Sequence, residues 1–154
     1  MATTVLVAVD FEEASRRAIE VAREFARLLG ASLCLVHVYA LPVYPYPGLA
    51  PPLDPSYGRA ITLAAGNSLD QLAAEVGAAR ALLREGDVVT EILAAARELD
   101  ATLIVMGTHG RRGLSHVLLG SVAEKVVRRS EIPVLTVRAD GGAAPGPAAR
   151  GGEG

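Results

Sequence analysis

Short apolar runs of strand-forming residues alternate along this chain with segments whose apolar residues fall at helical spacing, and that alternation restricts the fold more than any other feature. Residues 4–9 (TVLVAV), 32–38 (SLCLVHV) and 102–106 (TLIVM) are almost continuous in apolar side chains, as strands covered on both faces must be. After the first run Ala18, Val21, Ala22, Phe25, Leu28 and Leu29 repeat at helical spacing until Gly30 supplies the stop. A strand, a helix and a strand of these lengths fit one right-handed crossover between parallel strands. The expected class is therefore α/β, with an open parallel sheet.

The remaining elements follow the same alternation. Ile61, Ala65, Leu69, Leu72 and Val76 mark a second helix, with Gly66 its weak point. Before it, residues 40–58 hold six of the nine prolines, which excludes regular helix or central strand and predicts a long loop: a lid, an interaction segment or a plain insertion. Residues 78–85 (AARALLRE) favour helix by composition, but a strand is needed between two helices, and strand is the reading adopted. Gly86-Asp87 opens a third helix running through Leu99, with Val88, Ile92, Leu93 and Ala96 inward. Val122, Ala123, Val126 and Val127 form the stripe of a last helix, and residues 133–137 (PVLTV) a fifth strand whose opening proline suits a sheet edge. Residues 1–138 then make one domain, and residues 139–154, rich in Gly, Ala and Pro, a disordered appendage.

Charge and cysteine content narrow the function. With 15 basic and 17 acidic residues interspersed, the chain has no cationic field for a nucleic-acid backbone. The first ten residues lack the basic start of a signal peptide, and no apolar stretch approaches the roughly 20 residues of a membrane span, so a cytoplasmic protein is expected. The single cysteine, Cys34, forms no intramolecular disulfide and lies in an apolar run, where an inert buried thiol is expected.

The candidate site centres on residues 107–121 (GTHGRRGLSHVLLGS), which follow the fourth strand directly. Gly107, Gly110 and Gly120 let main-chain N–H groups approach a phosphate, or else merely shape a loop. Ser121-Val122-Ala123-Glu124 has the form of a capping box, so Ser121 caps a helix, contacts phosphate, or does both. A Walker A loop is excluded, since no GK[ST] follows the glycines, and so is a dinucleotide fingerprint, which would follow the first strand. Ligands of open parallel sheets lie beyond the carboxyl ends of strands, here just after Val9, Val38 and Met106. Asp10 ends the first strand and either meets ribose hydroxyls or a phosphate-held metal, or caps the first helix. His37 reads as a packed or sheet-end residue; His109 and His116 flank the glycines, in reach of a ligand or not, and of Arg111 and Arg112 the first is favoured for a phosphate contact. No metal-ligand spacing and no set of nucleophile, base and orienting group is found, so no catalytic residues are assigned.

At these residues the chain resembles the universal stress protein family, in its ATP-binding branch. The pattern is Gly107-x2-Gly110-x9-Gly120-Ser121, preceded by LIVM and followed by VAEKVV and IPVLTV. VLVAVD, LVHV and REGD support it, and the likeness runs over about residues 3–138. The resemblance implies a Rossmann-like five-stranded parallel sheet of order 3-2-1-4-5 with helices on both faces. It implies ATP held at the carboxyl edge, with Asp10 toward ribose or phosphate-bound Mg or Mn and the backbone at Val38 toward adenine. Gly107, Gly110, Gly120, Ser121 and Val122 would hold phosphates; Ala8, Val9, Met106 and Arg111 complete the expected nucleotide-binding set. It also implies a homodimer paired through residues 133–137.

Two features depart from the pattern: Ala8-Val9-Asp10 replaces Pro-Thr-Asp or Pro-Val-Asp, and Glu12-Glu13 stand where a serine commonly caps the first helix, with acidic charge that repels a polyphosphate. The expected function is a nucleotide-dependent stress-response sensor or adaptor. The alternatives are a slow ATPase related to adenine nucleotide hydrolases, although VDFEEAS lacks their SGGxDS-like loop, and a nucleotide-free dimeric module using the 40–58 loop.

Overall fold

The structure, a computed structural model, describes residues 2–41, 48, 54–108 and 119–139. In chain order these form β1 (Thr4–Ala8), α1 (Glu13–Leu29), β2 (Ser32–Tyr39), α2 (Pro55–Val76), β3 (Arg80–Glu85), α3 (Val88–Glu98), β4 (Ala101–Gly107), α4 (Ser121–Arg129) and β5 (Val134–Val137). The strands pair in parallel in the order β3-β2-β1-β4-β5, the arrangement expected.

Alternation along the central strands divides the core into two layers. Val5, Val7, Leu35 and Val105 face α1 and α2, while Leu6, Val36, Ile104 and Met106 face α3 and α4. Leu6, Leu35 and Ile104 are fully buried, and truncating such a side chain to Ala costs about 2–5 kcal/mol. Cys34 lies in the second layer, where burial pushes its thiol up against the opposing pull of Arg80. No helix among the described residues is long and apolar enough to cross a membrane.

Four expectations need correction. First, α2 begins at Pro55, inside the stretch expected to be loop as far as Gly58. Asp54 caps it by accepting the Ser56 N–H at 2.9 Å, and a proline in the first turn gives up an N–H that would have no helical partner anyway. The helix then passes through Gly66 without interruption.

Second, the sheet-facing stripe of α1 is Ala14, Ser15, Ala18, Ile19, Ala22 and Ala26, whereas Phe25, Leu28 and Leu29 are 38%, 67% and 53% exposed. Small residues bring this helix close to the sheet, and the longer ones are left on its flank and last turn.

Third, α3 buries Val89 and Ala95 in addition to Ile92, Leu93 and Ala96, leaving Val88 half-buried. Fourth, Ser121 is the first residue of α4 and not its cap. Gly120 holds the cap position, its carbonyl accepting the Glu124 N–H at 2.9 Å, and no side chain caps the helix. Glu124 pairs with Arg128 one turn on, so the capping box is not formed.

The choice of strand at β3 is upheld. Its Arg and Ala favour helix, but the open edge of β2 supplies a full ladder from Cys34 to Tyr39, and those hydrogen bonds outweigh a local propensity. Gly30 and Gly77 end α1 and α2 in the left-handed conformation that only glycine adopts cheaply.

Candidate functional site

Strand order reverses between β1 and β4, because β1 leads by α1 to β2 on one side while β3 returns by α3 to β4 on the other. A cleft of about 290 Å³ lies at the carboxyl end of that switch point, as open α/β sheets dictate. Ala8, Val36, Val38 and Met106 line it from the strands, Val88 and Ile92 from α3, and Ser121, Val122 and Ala123 from α4. Asp10 and Ser15 close the α1 side, and Asp10 is the one charged side chain among the described lining residues. An apolar slot meets polar main chain at one end.

The polar end is the start of α4. The N–H groups of Ser121, Val122 and Ala123 have no acceptor within the helix, and Gly120 offers no side chain to take them. They give the cleft a concentration of partial positive charge. Thr108, itself 3% exposed, donates its N–H to the Val137 carbonyl at 2.9 Å and accepts the Gly120 N–H on its own carbonyl.

Gly107 has a structural duty besides. A Cβ there would stand 2.8 Å from the Ala14 Cβ and 3.2 Å from the Ala14 carbonyl carbon, so only glycine lets the first turn of α1 lie against the end of β4.

The other end is set by where β1 leaves the sheet. Val9 still donates its N–H to the Val36 carbonyl at 2.9 Å, and then the chain turns away. Leu33 and Tyr39 present their carbonyls to Ala79 and Gly86 on the β3 side, whereas Val36 presents its own to Val9 on the β1 side. By the two-residue alternation, the N–H and C=O of Val38 also point toward β1, past the point where β1 has ended.

The turn is tightly held. The Asp10 N–H bonds to Ser15 Oγ at 2.9 Å, Asp10 Oδ1 accepts the Glu12 N–H at 3.0 Å, and Phe11 has φ +64°. A left-handed aromatic residue costs roughly 1–2 kcal/mol. The Phe11 ring packs on the His37 imidazole, centroids 4.6 Å apart, while His37 Nδ1 bonds to the Val9 carbonyl at 2.7 Å. A carbonyl only accepts, so Nδ1 carries the proton.

Of the residues singled out from sequence, Ala8, Val9, Asp10, Val38, Met106, Gly107, Gly120, Ser121 and Val122 all line this one cleft. Gly110, Arg111, Arg112, His109 and His116 lie outside the described residues. Asp10 does not cap α1, whose cap position is Glu12; its carboxylate closes the preceding turn. Sequence reasoning missed Val36, Val88, Ile92, Ala123, Ser15 and Thr108 as lining residues, of which Ser15 and Thr108 are the polar ones. A buried serine in the first turn of an otherwise alanine-faced helix was the available signal for Ser15. Among the described residues no three His, Cys, Asp or Glu side chains gather in a metal-holding group.

An open, doubly wound α/β domain with its cleft at the switch point defines a Rossmann-like protein. Residues 1–138 match the universal stress protein family, and the chain belongs to that family. A universal stress protein of Thermus aquaticus is 38% identical over 140 residues, covering 90% of this chain and all of the relative. MJ0531 of Methanocaldococcus jannaschii is 35% identical, covering 82% of this chain and 74% of its own length. Among solved structures, UspA of Lactobacillus plantarum superposes with a TM-score of 0.73 at 25% identity, covering 88% of this chain and 97% of that one. A universal stress protein solved in complex with cAMP has a TM-score of 0.56 at 31% identity, covering 90% and 98%.

Proposed function

We propose that the cleft binds an adenine nucleotide, ATP being the expected occupant, and that the chain acts as a nucleotide-dependent sensor or adaptor in a cytoplasmic stress response. The observation that carries this reading is the pairing of two recognition elements across one apolar slot. The N–H and C=O of Val38 offer a donor and an acceptor side by side, the complement of the N1 acceptor and amino donor on the adenine edge. Val38, Val88 and Val122 supply apolar walls for a flat base. At the opposite end the uncapped start of α4, with Gly120, Ser121 and Val122, suits phosphate. Asp10, on the α1 side of the cleft, offers a carboxylate that would accept ribose hydroxyls or join a Mg or Mn ion brought by the phosphates. Gly110 and Arg111, outside the described residues, are the further phosphate contacts that the sequence suggests. The relative solved with cAMP supports a nucleotide in this fold.

The same reading makes the protein a homodimer through β5. That strand is an edge of four uncharged residues, Val134 to Val137, and exposed Phe25 and Val127 sit on the helices packed against it. Such an edge invites pairing with a second copy. Residues 1–138 form the domain, and residues 139–154 are an appendage to it.

Ligand released by acid from the purified protein and identified by mass spectrometry tests the proposal, beside thermal melting with ATP and GTP. Adenine nucleotide in the released fraction, and a melting temperature raised by ATP more than by GTP, are the expected results. Nucleotide-free protein whose melting is insensitive to millimolar ATP overturns the reading.

A further inference from the structure

We infer that His37 is a positioning residue for base recognition, which it serves by keeping the Val38 N–H out of the sheet. The inference rests on the adenine-nucleotide reading of the cleft and adds a specific device to it. In a continuing parallel ladder, the Val9 carbonyl would be the acceptor for the Val38 N–H, the rung after Val9 N–H to Val36 carbonyl. Here His37 Nδ1 takes that carbonyl instead, at 2.7 Å. The Val38 amide has no hydrogen-bond partner among the described residues, although it lines the cleft. One imidazole thus converts a sheet rung into a free donor.

Phe11 holds the device in place. Its left-handed backbone, φ +64°, swings the chain away from β2 immediately after Asp10, and its ring rests on the imidazole at 4.6 Å. Unfavourable backbone at the rim of a ligand cleft is stable only where its surroundings enforce it. The ring contact, the Val9 bond and the Asp10 bonds to Ser15 and Glu12 do so here.

Three forms of the full chain test this: wild type, His37→Leu and His37→Asn, the last retaining a donor amide at the Nδ1 position. Amide hydrogen exchange without nucleotide is measured at Val38, and affinity is measured for ATP and for inorganic tripolyphosphate. In wild type the Val38 amide exchanges fast. In His37→Leu it becomes protected as the Val9 carbonyl recaptures it, and ATP affinity falls about tenfold, the worth of one well-made hydrogen bond. Tripolyphosphate affinity is unchanged, because the α4 end is untouched. His37→Asn keeps fast exchange at Val38 and most of the ATP affinity. Val38 protection equal in wild type and His37→Leu overturns the inference, as does a loss shared equally by ATP and tripolyphosphate. Wild-type protein that binds no adenine nucleotide removes the reading of the cleft and the inference together, whereas a wild type that binds beside an unimpaired His37→Leu removes the inference alone.

Discussion

The four helices begin in two different ways. α2 and α3 start on aspartates: Asp54 accepts the Ser56 N–H, and Asp87 accepts both the N–H and the hydroxyl of Thr90 at 3.0 and 2.7 Å. α1 and α4 start without any side-chain cap. The uncapped pair supplies Ser15, Ser121, Val122 and Ala123 to the cleft. Both kinds of helix reach the cleft, α3 through Val88 and Ile92, but the first-turn amides of α3 are met by Asp87, whereas those at the start of α4 meet no side-chain cap. The difference assigns the polar end of the site to the backbone and its acidic rim to Asp10.

The largest effect should come from separating α1 from β4. Gly107→Val puts a branched side chain where even a Cβ would meet Ala14 at 2.8 Å. Overpacking of this kind costs about 1–3 kcal/mol, read as a lowered denaturation midpoint. A variant as stable as wild type would show that the first turn of α1 is free to move and that its start is not fixed as described.

Giving α4 the cap it lacks is a more selective change. Gly120→Asp suits the extended backbone there, φ −67° and ψ 165°, and its carboxylate takes the amides otherwise offered to a ligand. Nucleotide affinity should fall about tenfold or more while the melting temperature of the free protein rises or holds. Stability gained with affinity untouched would place the phosphate elsewhere.

Removing a cap from the other pair should do the reverse on a smaller scale. Asp87→Ala lowers the melting temperature with nucleotide affinity unchanged. Both cap carboxylates are held below the usual carboxylate range, chiefly by the amides of Thr90 and Ser56 and then by their hydroxyls. Their stabilisation is therefore present above the unfolded carboxylate value of about 3.9 and is lost as pH falls through the lower folded value. The double variant Asp54→Ala with Asp87→Ala should show a shallower drop in melting temperature below about pH 4 than wild type. Parallel curves would mean these caps contribute nothing.

The two sheet edges show how much was legible beforehand. β3 carries Arg80, Arg84 and Glu85, with both arginines paired to Glu98 of α3, and is short of apolar surface to offer a second strand. β5 carries no charge, and its edge position was readable from Pro133 and a brief apolar run. β3 was harder, because its helix-favouring letters conflict with a decision made by the neighbouring strand. α1 misled in the opposite way. Its largest apolar residues satisfy helical spacing, yet close approach to the sheet selects the alanines, and nothing local reveals how near the sheet will be.

Taken alone, the sequence determined the strand and helix alternation, the glycine stop at Gly30, the switch-point location of the site and most of its lining residues. Those depend on periodicity and on single-residue backbone preferences, which act over a few neighbours. The tertiary structure decided that Gly107 answers to Ala14, that Gly120 and not Ser121 occupies the cap of α4, and that His37 takes the Val9 carbonyl from Val38. Each joins atoms far apart in the chain or depends on where a backbone turns, and the free energy of such contacts exists only once the sheet has set their distances.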